Sequence, residues 1–481
     1  MLSLRDILDE LAPTLDVEGA EGVSICRVDI DSRRVKRDSL FVALVGEHTD
    51  GHAYVADAFA AGASVALVAC PVPGVSFVDT VRGVTSGLVA APVALIVPDP
   101  LQALQALARA RRNARPDVIV VAVTGSVGKT TTKEVIASVL AQRYATLKST
   151  GNYNNEIGLP LTLMALEDRH ECAVLEMGMY ALGEIASLCQ IAQPQVGVVT
   201  NVGPTHLERL GTIERIAQAK AELVQSLPGA AQGGVAILNG DDSRVRDMGT
   251  QTNARVVTFG LGANAVRATE VVSRGLDGVA FVAHVTGLGN FGIADATYPL
   301  EVGMLGRHAV MPALAGVAVG LVEGLSWEEI AQGLLDLGRG IRLLLKPARH
   351  GATILDDVYN ASPMSTRAAL DVLAELPGRH LAVLGDMLEL GSYEKEGHQA
   401  VGRHCAGTLD LLITVGERAR LIAEEAKAAG LPALPVYSVA DNESAIDLLA
   451  DFLQEGDLVL VKGSRSMAME EIVHALETRV R

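Results

Sequence analysis

The chain has 481 residues, of which 49% are hydrophobic and only 3% aromatic, and its net charge is −17. That length exceeds what one hydrophobic core supports and predicts about two or three domains. The acidic balance excludes a general nucleic-acid surface, which needs clustered Lys and Arg, so any anionic ligand must be held locally by a loop, a metal or a single basic side chain. The apolar fraction is mostly Ala, Val and Leu, as a soluble α/β protein with buried parallel strands requires. The segment from Met1 to Pro13 carries Arg5, Asp6, Asp9 and Glu10 among its leucines and does not read as a signal peptide. No apolar run approaches membrane-spanning length. The five cysteines at 26, 70, 172, 189 and 405 contain no Cys-x-x-Cys pair. They read as small buried hydrophobes in a reducing compartment, not as a metal site.

In chain order, the first hundred or so residues read as a small α/β module ending near Pro92–Pro100. Leu101 to Ala114 reads as a helix, broken at Asn113-Ala-Arg-Pro116. Strand-like runs follow at Val118–Val123, Glu171–Met177, Gln195–Thr200 and Val235–Leu238, separated by helical periodicity, which predicts a doubly wound sheet. Residues 255–303 carry short β-rich runs broken by Gly275, Gly278, Gly287 and Gly289, and are expected to form an antiparallel extension. A helix is expected at about 309–323, and Gly338-Arg-Gly340 reads as a linker. Beyond it, Thr353–Asp356, Leu381–Leu384, Leu411–Val415 and Leu458–Val461 alternate with helical stretches as a second, Rossmann-like sheet. There is no internal repeat or low-complexity tract.

The chemistry concentrates at strand ends. Thr124-Gly-Ser-Val-Gly-Lys-Thr130 directly follows an apolar strand, where Gly125 and Gly128 let backbone N–H groups converge on phosphate and Lys129 can reach the outer phosphates. Thr130 is placed to hold Mg²⁺. The loop is a shortened variant, with valine at 123 where the general phosphate-loop pattern has glycine. Its plain alternative is a glycine turn between strand and helix. Glu176 ends an apolar strand, as a Mg²⁺ ligand or equally as a satisfied strand-end acid. Asn201 and His206 lie in Thr-Asn-Val-Gly-Pro-Thr-His, a Gly-Pro loop after the next strand. Lys220 falls on the apolar stripe of Ile213, Ile216, Ala217, Leu223, Val224 and Leu227. It is either a snorkelling stem, the commoner case, or a desolvated reactive amine.

Together, the Thr-Gly-x-x-Gly-Lys-Thr loop, Gly151-Asn-Tyr-Asn-Asn-Glu-Ile-Gly158, Glu176, His206 and Lys220 resemble the Mur ligase family in order and spacing. These are ATP-dependent enzymes that extend the peptidoglycan precursor by amide-bond formation, and the resemblance covers essentially the whole chain. Leu384-Gly-Asp-Met-Leu-Glu-Leu-Gly391, Lys462-Gly-Ser-Arg465, and Asp31-Ser-Arg33 followed by Leu40–Gly46 resemble the members that add D-alanyl-D-alanine. The Asp-Asn-Pro-Arg signature of the diamino-acid-adding members is absent.

The resemblance implies three α/β domains. These are a small N-terminal UDP-substrate domain (1–100), a central P-loop domain with a doubly wound, mainly parallel sheet (101–337), and a C-terminal Rossmann-like domain (338–481). It implies that the carboxylate of UDP-N-acetylmuramoyl-tripeptide becomes an acyl phosphate at the expense of ATP, and that D-alanyl-D-alanine then attacks, releasing phosphate. The catalytic set is Lys129, Glu176, His206 and Lys220. ATP is expected at Thr124, Gly125, Ser126, Val127, Gly128, Lys129, Thr130, Thr131, His308, Arg342 and Asp357. The UDP substrate is expected at Asp31, Ser32, Arg33, Asn154 and Asn155, and the dipeptide at Asp386 and Glu389. One Mg²⁺ is expected on Thr130 and Glu176, and a second on His206 and a Lys220 carbamylated by CO₂. Tyr359 and Asn360 are expected near the nucleotide. The implied enzyme is a cytoplasmic monomer serving cell-wall biogenesis, cell shape and division, with its C-terminal domain closing about Gly338–Gly340.

Read without the family, Asp356-Asp357-Val-Tyr-Asn360 is just as well a capping or solvated acidic turn, and Asp386 and Glu389 are exposed acids before a helix. Two departures stand out. Gly306-Arg-His-Ala-Val-Met-Pro312 has proline where the family has an asparagine near adenine, and a proline there fits only a first helical turn. Asn360-Ala-Ser-Pro363 replaces Asn-Ala-Asn-Pro. The other readings are a superfamily ligase with another amine or carboxylate, and a phosphate-loop nucleotide binder without ligation. Asp31-Ser-Arg33 and the 384–391 loop weigh against the first, and Glu176, His206 and Lys220 against the second.

Overall fold

Uninterrupted runs of β-branched residues form strands covered on both faces. In the strand Ile119–Thr124, Val120, Val121, Ala122 and Val123 are wholly buried, as in a parallel sheet between helical layers. The computed structural model describes residues 2–46, 49–85, 89–337, 344–429 and 435–478. The expected linker Gly338–Gly340 and Arg342 lie outside the described residues. The chain divides into two compact units, one of Met1–Ala122, Ala145–Gly178 and Glu184–Gln195, the other of Val123–Tyr144, Met179–Gly183 and Val196–Arg481.

The first unit contains a six-stranded sheet in the order Arg27–Asp29, Ser39–Val42, Ala63–Val68, Val93–Ile96, Phe77–Asp79, Val84–Thr85. It is parallel except for its last pair. The helix Pro100–Asn113 starts one residue earlier than expected. Asp99 caps it by accepting from the N–H groups of Leu101 and Gln102, and Pro100 occupies its first turn. Thr146–Lys148 pairs in parallel with Cys172–Glu176.

In the second unit, Val196–Val199, Val235–Asn239 and Arg255–Gly260 pair in parallel. The antiparallel extension therefore begins later than expected. Arg255–Gly260 continues the parallel order, and only Val266–Ser273, Val279–Val285 and Ala296–Val302 pair antiparallel. Here alternation returns, with Val279, Phe281, Ala283 and Val285 buried between more exposed neighbours.

The helix Val310–Val322 is buried along nearly its whole length, with Pro312 as its third residue, inside the first turn. Gly316 and Gly320 let it approach the helix Lys129–Leu140. A Cβ at Gly316 would lie 2.7 Å from Val135 Cγ1, and one at Gly320 would lie 2.9 Å from Val139 Cγ1. A second helix, Trp327–Leu335, follows it, started by the capping box that Ser326 and Glu329 form.

The C-terminal sheet runs Leu344–Pro347, Thr353–Asp356, Asp457–Lys462, Arg379–Gly385, Leu411–Val415, Val436–Val439, parallel except at Leu344–Pro347. The expected Rossmann-like alternation is present. The two edge strands add to it. The architecture is α/β with mainly parallel sheets. Among the described residues, no helix is long and apolar enough to cross a membrane. One expectation is corrected: Cys172, Cys189 and Cys405 are buried, but Cys26 and Cys70 are exposed, just outside the strands Arg27–Asp29 and Ala63–Val68.

Candidate active site

The glycine loop is rigidly held before any ligand enters. Gly125 and Gly128 take positive φ of 153° and 84°, and a Cβ at Gly125 would fall 1.9 Å from Thr200 Oγ1, so only glycine fits. Asn201 acts as the loop's fastener. Its Oδ1 accepts from Val127 N–H at 2.9 Å and its Nδ2 donates to the Val127 carbonyl at 2.8 Å. Thr200 Oγ1 donates to the same carbonyl, and the Ser126 hydroxyl and Gly203 backbone bond each other in both directions. The Val127 N–H is thus committed to Asn201. Lys129, at the start of its helix, folds back to donate to the carbonyl oxygens of Gly125 at 2.9 Å and Ser126 at 3.3 Å.

A cavity of about 580 Å³ opens beside this loop. Of the residues expected to bind ATP, Val127, Gly128, Thr131, His308 and Asp357 line it. Its other walls include Asn239, Phe259, Met304, Met311, Pro312 and Lys462, an apolar slot with a few convergent polar groups, as nucleotide and drug-sized sites have. His308 is exposed on the cavity wall yet enclosed by protein on most sides, and this burial outweighs the pull of Asp357 and pushes its imidazole below the ordinary value. Gly306 makes room for it, since a Cβ there would lie 2.9 Å from His308 Nδ1. Lys462 donates to Asp357 Oδ2 at 2.6 Å. The sequence had offered Lys462 within a family segment but without a role.

Of its two readings, the structure excludes the snorkelling stem for Lys220. The helix Ile213–Gln225, capped by Thr212, points Lys220 inward, and the residue is 2% exposed. Burial first, and the neighbouring Lys129 charge second, press its pKa well below the ordinary lysine value. The side chain does not snorkel.

His206 takes a left-handed backbone, φ 59°, and so does Glu389, φ 63°, a conformation that is rare outside glycine and clusters at functional sites. The two side chains meet, with His206 Nδ1 2.6 Å from Glu389 Oε2. The imidazole holds the Glu389 carboxyl below the usual range. Tyr180 meets the His206 ring edge-on at 5.2 Å between centroids, and Arg209 lies over Tyr180. The approach continues at Gly391, where a Cβ would lie 2.9 Å from the Glu208 backbone nitrogen. Asp386, expected with Glu389 at the dipeptide, is buried. It accepts from Ala419 N–H at 2.7 Å, at the start of the helix Arg420–Ala428. The two acids have different protein contacts: Glu389 stands against the histidine, and Asp386 accepts from a helix N-terminus.

In the first unit, Glu176 ends its strand 2% exposed, with Oε1 accepting from Asn154 Nδ2 at 2.9 Å and its backbone N–H donating to Ser149. Among the described residues, its other oxygen, Oε2, is buried without a hydrogen-bond partner. An orphaned buried carboxylate oxygen is costly unless a cation meets it, so this residue suits Mg²⁺ better than the satisfied-acid reading. Among the described residues, no group of three or more His, Cys, Asp or Glu is gathered for a metal. Asn155 spends its Oδ1 on the N–H groups of Ile157 and Gly158, starting the helix Gly158–Met164. Asp31 and Arg33 pair with each other in the open. The Arg33 guanidinium pulls the Asp31 carboxyl down to about 2. Ser32 begins the short turn between them.

Three family models match the chain: the Mur ligase family catalytic domain over residues 24–112, the Mur ligase middle domain over 123–320, and the Mur ligase, glutamate ligase domain over 341–465. The UDP-N-acetylmuramoyl-tripeptide--D-alanyl-D-alanine ligase of Bacillus subtilis is 36% identical over 478 residues, covering 98% of each chain. Among solved structures, MurF from Acinetobacter baumannii superposes with a TM-score of 0.78 at 32% identity, covering 94% of this chain and 93% of that one. MurF ligase from Thermotoga maritima, solved in complex with ADP, gives 0.75 at 27% identity, covering 93% and 96%. With sequence and fold alike over nearly the full length of these proteins, the chain belongs to the Mur ligase family.

Proposed function

We propose that this enzyme joins D-alanyl-D-alanine to UDP-N-acetylmuramoyl-tripeptide at the expense of ATP, in peptidoglycan precursor synthesis. A carboxylate oxygen of the tripeptide attacks the γ-phosphorus, the bond to ADP breaks, and an acyl phosphate forms. The dipeptide amine then attacks the acyl carbon, phosphate leaves, and the amine's proton is lost. The observation that carries the reading is the cavity flanked by the glycine loop and by Asp357 with Lys462, in a chain related end to end to named D-alanyl-D-alanine ligases.

Each residue's part follows from its setting. Thr124, Gly125, Ser126, Gly128 and Thr131 shape the phosphate cradle, with Val127 as its anchored middle. Lys129 leaves the loop carbonyls to meet the outer phosphates, where positioning and charge supply most of the catalysis. His308 and Asp357 flank the nucleoside, and Arg342 is assigned to the phosphates by resemblance alone. Thr130, Glu176, His206 and a carbamylated Lys220 are the proposed Mg²⁺ ligands; the bound ions would supply charge neutralisation at the transferring phosphoryl group. The orphaned Glu176 oxygen and the burial of Lys220, which disfavours its charged form, support those assignments, since a free amine is what reacts with CO₂. Asp31, Ser32, Arg33, Asn154 and Asn155 are assigned to the UDP substrate, and Asp386 and Glu389 to the dipeptide side. Domain limits near 100 and 338, a monomer, and a cytoplasmic site of action where ATP and the nucleotide-linked precursor meet complete the reading. Phosphate release from ATP should require both UDP-N-acetylmuramoyl-tripeptide and D-alanyl-D-alanine, with a product heavier by one dipeptide residue, that is, the dipeptide less one water. Release indifferent to the dipeptide would refute the assignment.

A further inference from the structure

Lys462 ends the strand Asp457–Lys462, which lies between Thr353–Asp356 and Arg379–Gly385. It is 2% exposed, and an ammonium so far from water must be compensated by charge and hydrogen bonds. It donates to Asp357 Oδ2 at 2.6 Å and to the Asn360 carbonyl oxygen at 2.8 Å. One cation thus ties the first and last residues of the turn 357–360. The same strand holds Asp357 a second time, since the Asp357 N–H donates to the Val461 carbonyl at 3.1 Å. Both Asp357 and Lys462 line the cavity.

A carboxylate offers acceptor capacity on both oxygens. Among the described residues, every side-chain contact of Asp357 runs through Oδ2. Oδ1 is left for a donor that arrives with the ligand. A hydroxyl is such a donor, and an acid fixed at its backbone N–H and at one carboxylate oxygen cannot turn away from it at little cost. We propose that Lys462 is a positioning residue which, through Asp357, makes the cavity select a nucleotide with its ribose hydroxyls intact. This rests on the reading that the cavity takes ATP with Asp357 at the ribose. Lys462 itself need not touch the nucleotide; it fixes the acid that does.

The test compares dissociation constants of ATP, 2′-deoxy-ATP and 3′-deoxy-ATP for the full chain and for Lys462→Met, Asp357→Asn and the double variant. Losing one hydrogen bond to a fixed charged group predicts that the unaltered protein prefers ATP over at least one deoxy analogue by about tenfold. Lys462→Met should shrink that preference to about threefold or less, chiefly by weakening ATP. Asp357→Asn should shrink it similarly, and the double variant should add nothing. Should methionine not be accommodated, Lys462→Gln makes the same comparison. Equal weakening of all three nucleotides in the Lys462 variants, with the preference intact, would overturn the proposal and leave Lys462 a merely structural group. An Asp357→Asn variant that keeps the full preference would overturn it differently, by removing the ribose reading beneath it.

Discussion

Two lysines in this protein are equally buried, each 2% exposed, and they are put to opposite uses. Lys220 sits in the middle of a helix, and the influences on it, burial and the positive charge of Lys129, both oppose its ammonium form. Lys462 sits at the end of a central strand, where a carboxylate and a carbonyl receive it within 2.8 Å. Burial alone does not decide what a lysine becomes; the partners do. In one the surroundings disfavour the charged form, and in the other a carboxylate and a carbonyl receive it.

The largest expected effect breaks the first half of this contrast. Lys220→Ala should lower dipeptide-dependent phosphate release by about 10³-fold, the scale of losing a metal-organising group, and high bicarbonate should not restore it. Unaltered turnover would remove the carbamate hypothesis. The second half breaks with Lys462→Met. It strips Asp357 and Asn360 of their donor and should cost about 1–3 kcal/mol of stability, measured by denaturant unfolding with ATP absent.

A smaller effect of opposite sign sharpens the comparison. The folded state depresses the Lys220 pKa, so between that depressed value and the ordinary lysine range of about 10.4 the unfolded chain binds more protons. Stability should therefore climb with pH across that window. Lys220→Met should flatten the climb and raise the melting temperature of the ligand-free protein at neutral pH in CO₂-free buffer. An unchanged pH slope would show that Lys220 is not neutral. Least is expected of Glu389→Gln. The Glu389 carboxyl is held low by His206, so the pair's stabilisation is present above about pH 4.3 and is lost as pH falls through the depressed value. Because the acid is 44% exposed, the melting loss at neutral pH should stay under about 1 kcal/mol. A larger loss would make the pair a structural clasp.

What the sequence revealed, it revealed locally. The glycine loop after an apolar strand, the strand-end Glu176 and the inward Lys220 each follow from spacing within one or two elements, and each is where that spacing puts it. The helix Trp327–Leu335 was equally legible from Ser326 and Glu329. By contrast, the pairs that join distant segments carry no local periodicity. Lys462 meets Asp357 across 105 residues, Asn201 fastens Val127 across 74, and Glu389 reaches His206 from a different sheet. Resemblance named Asp386 and Glu389 as one pair, yet the first is fixed by the Ala419 N–H. Only packing reveals what each of two nearby acids is engaged with. The parallel course of Arg255–Gly260 was likewise decided by its partner, Val235–Asn239, not by its own short β-rich run.

The measurement that bears most directly on the contrast between the two lysines is carbon NMR of the protein equilibrated with ¹³C-labelled bicarbonate at neutral pH. A neutral, buried amine at 220 predicts a carbamate resonance in the unaltered chain that persists in Lys462→Met and vanishes in Lys220→Met. No carbamate signal under saturating bicarbonate, or one that survives Lys220→Met, would contradict it.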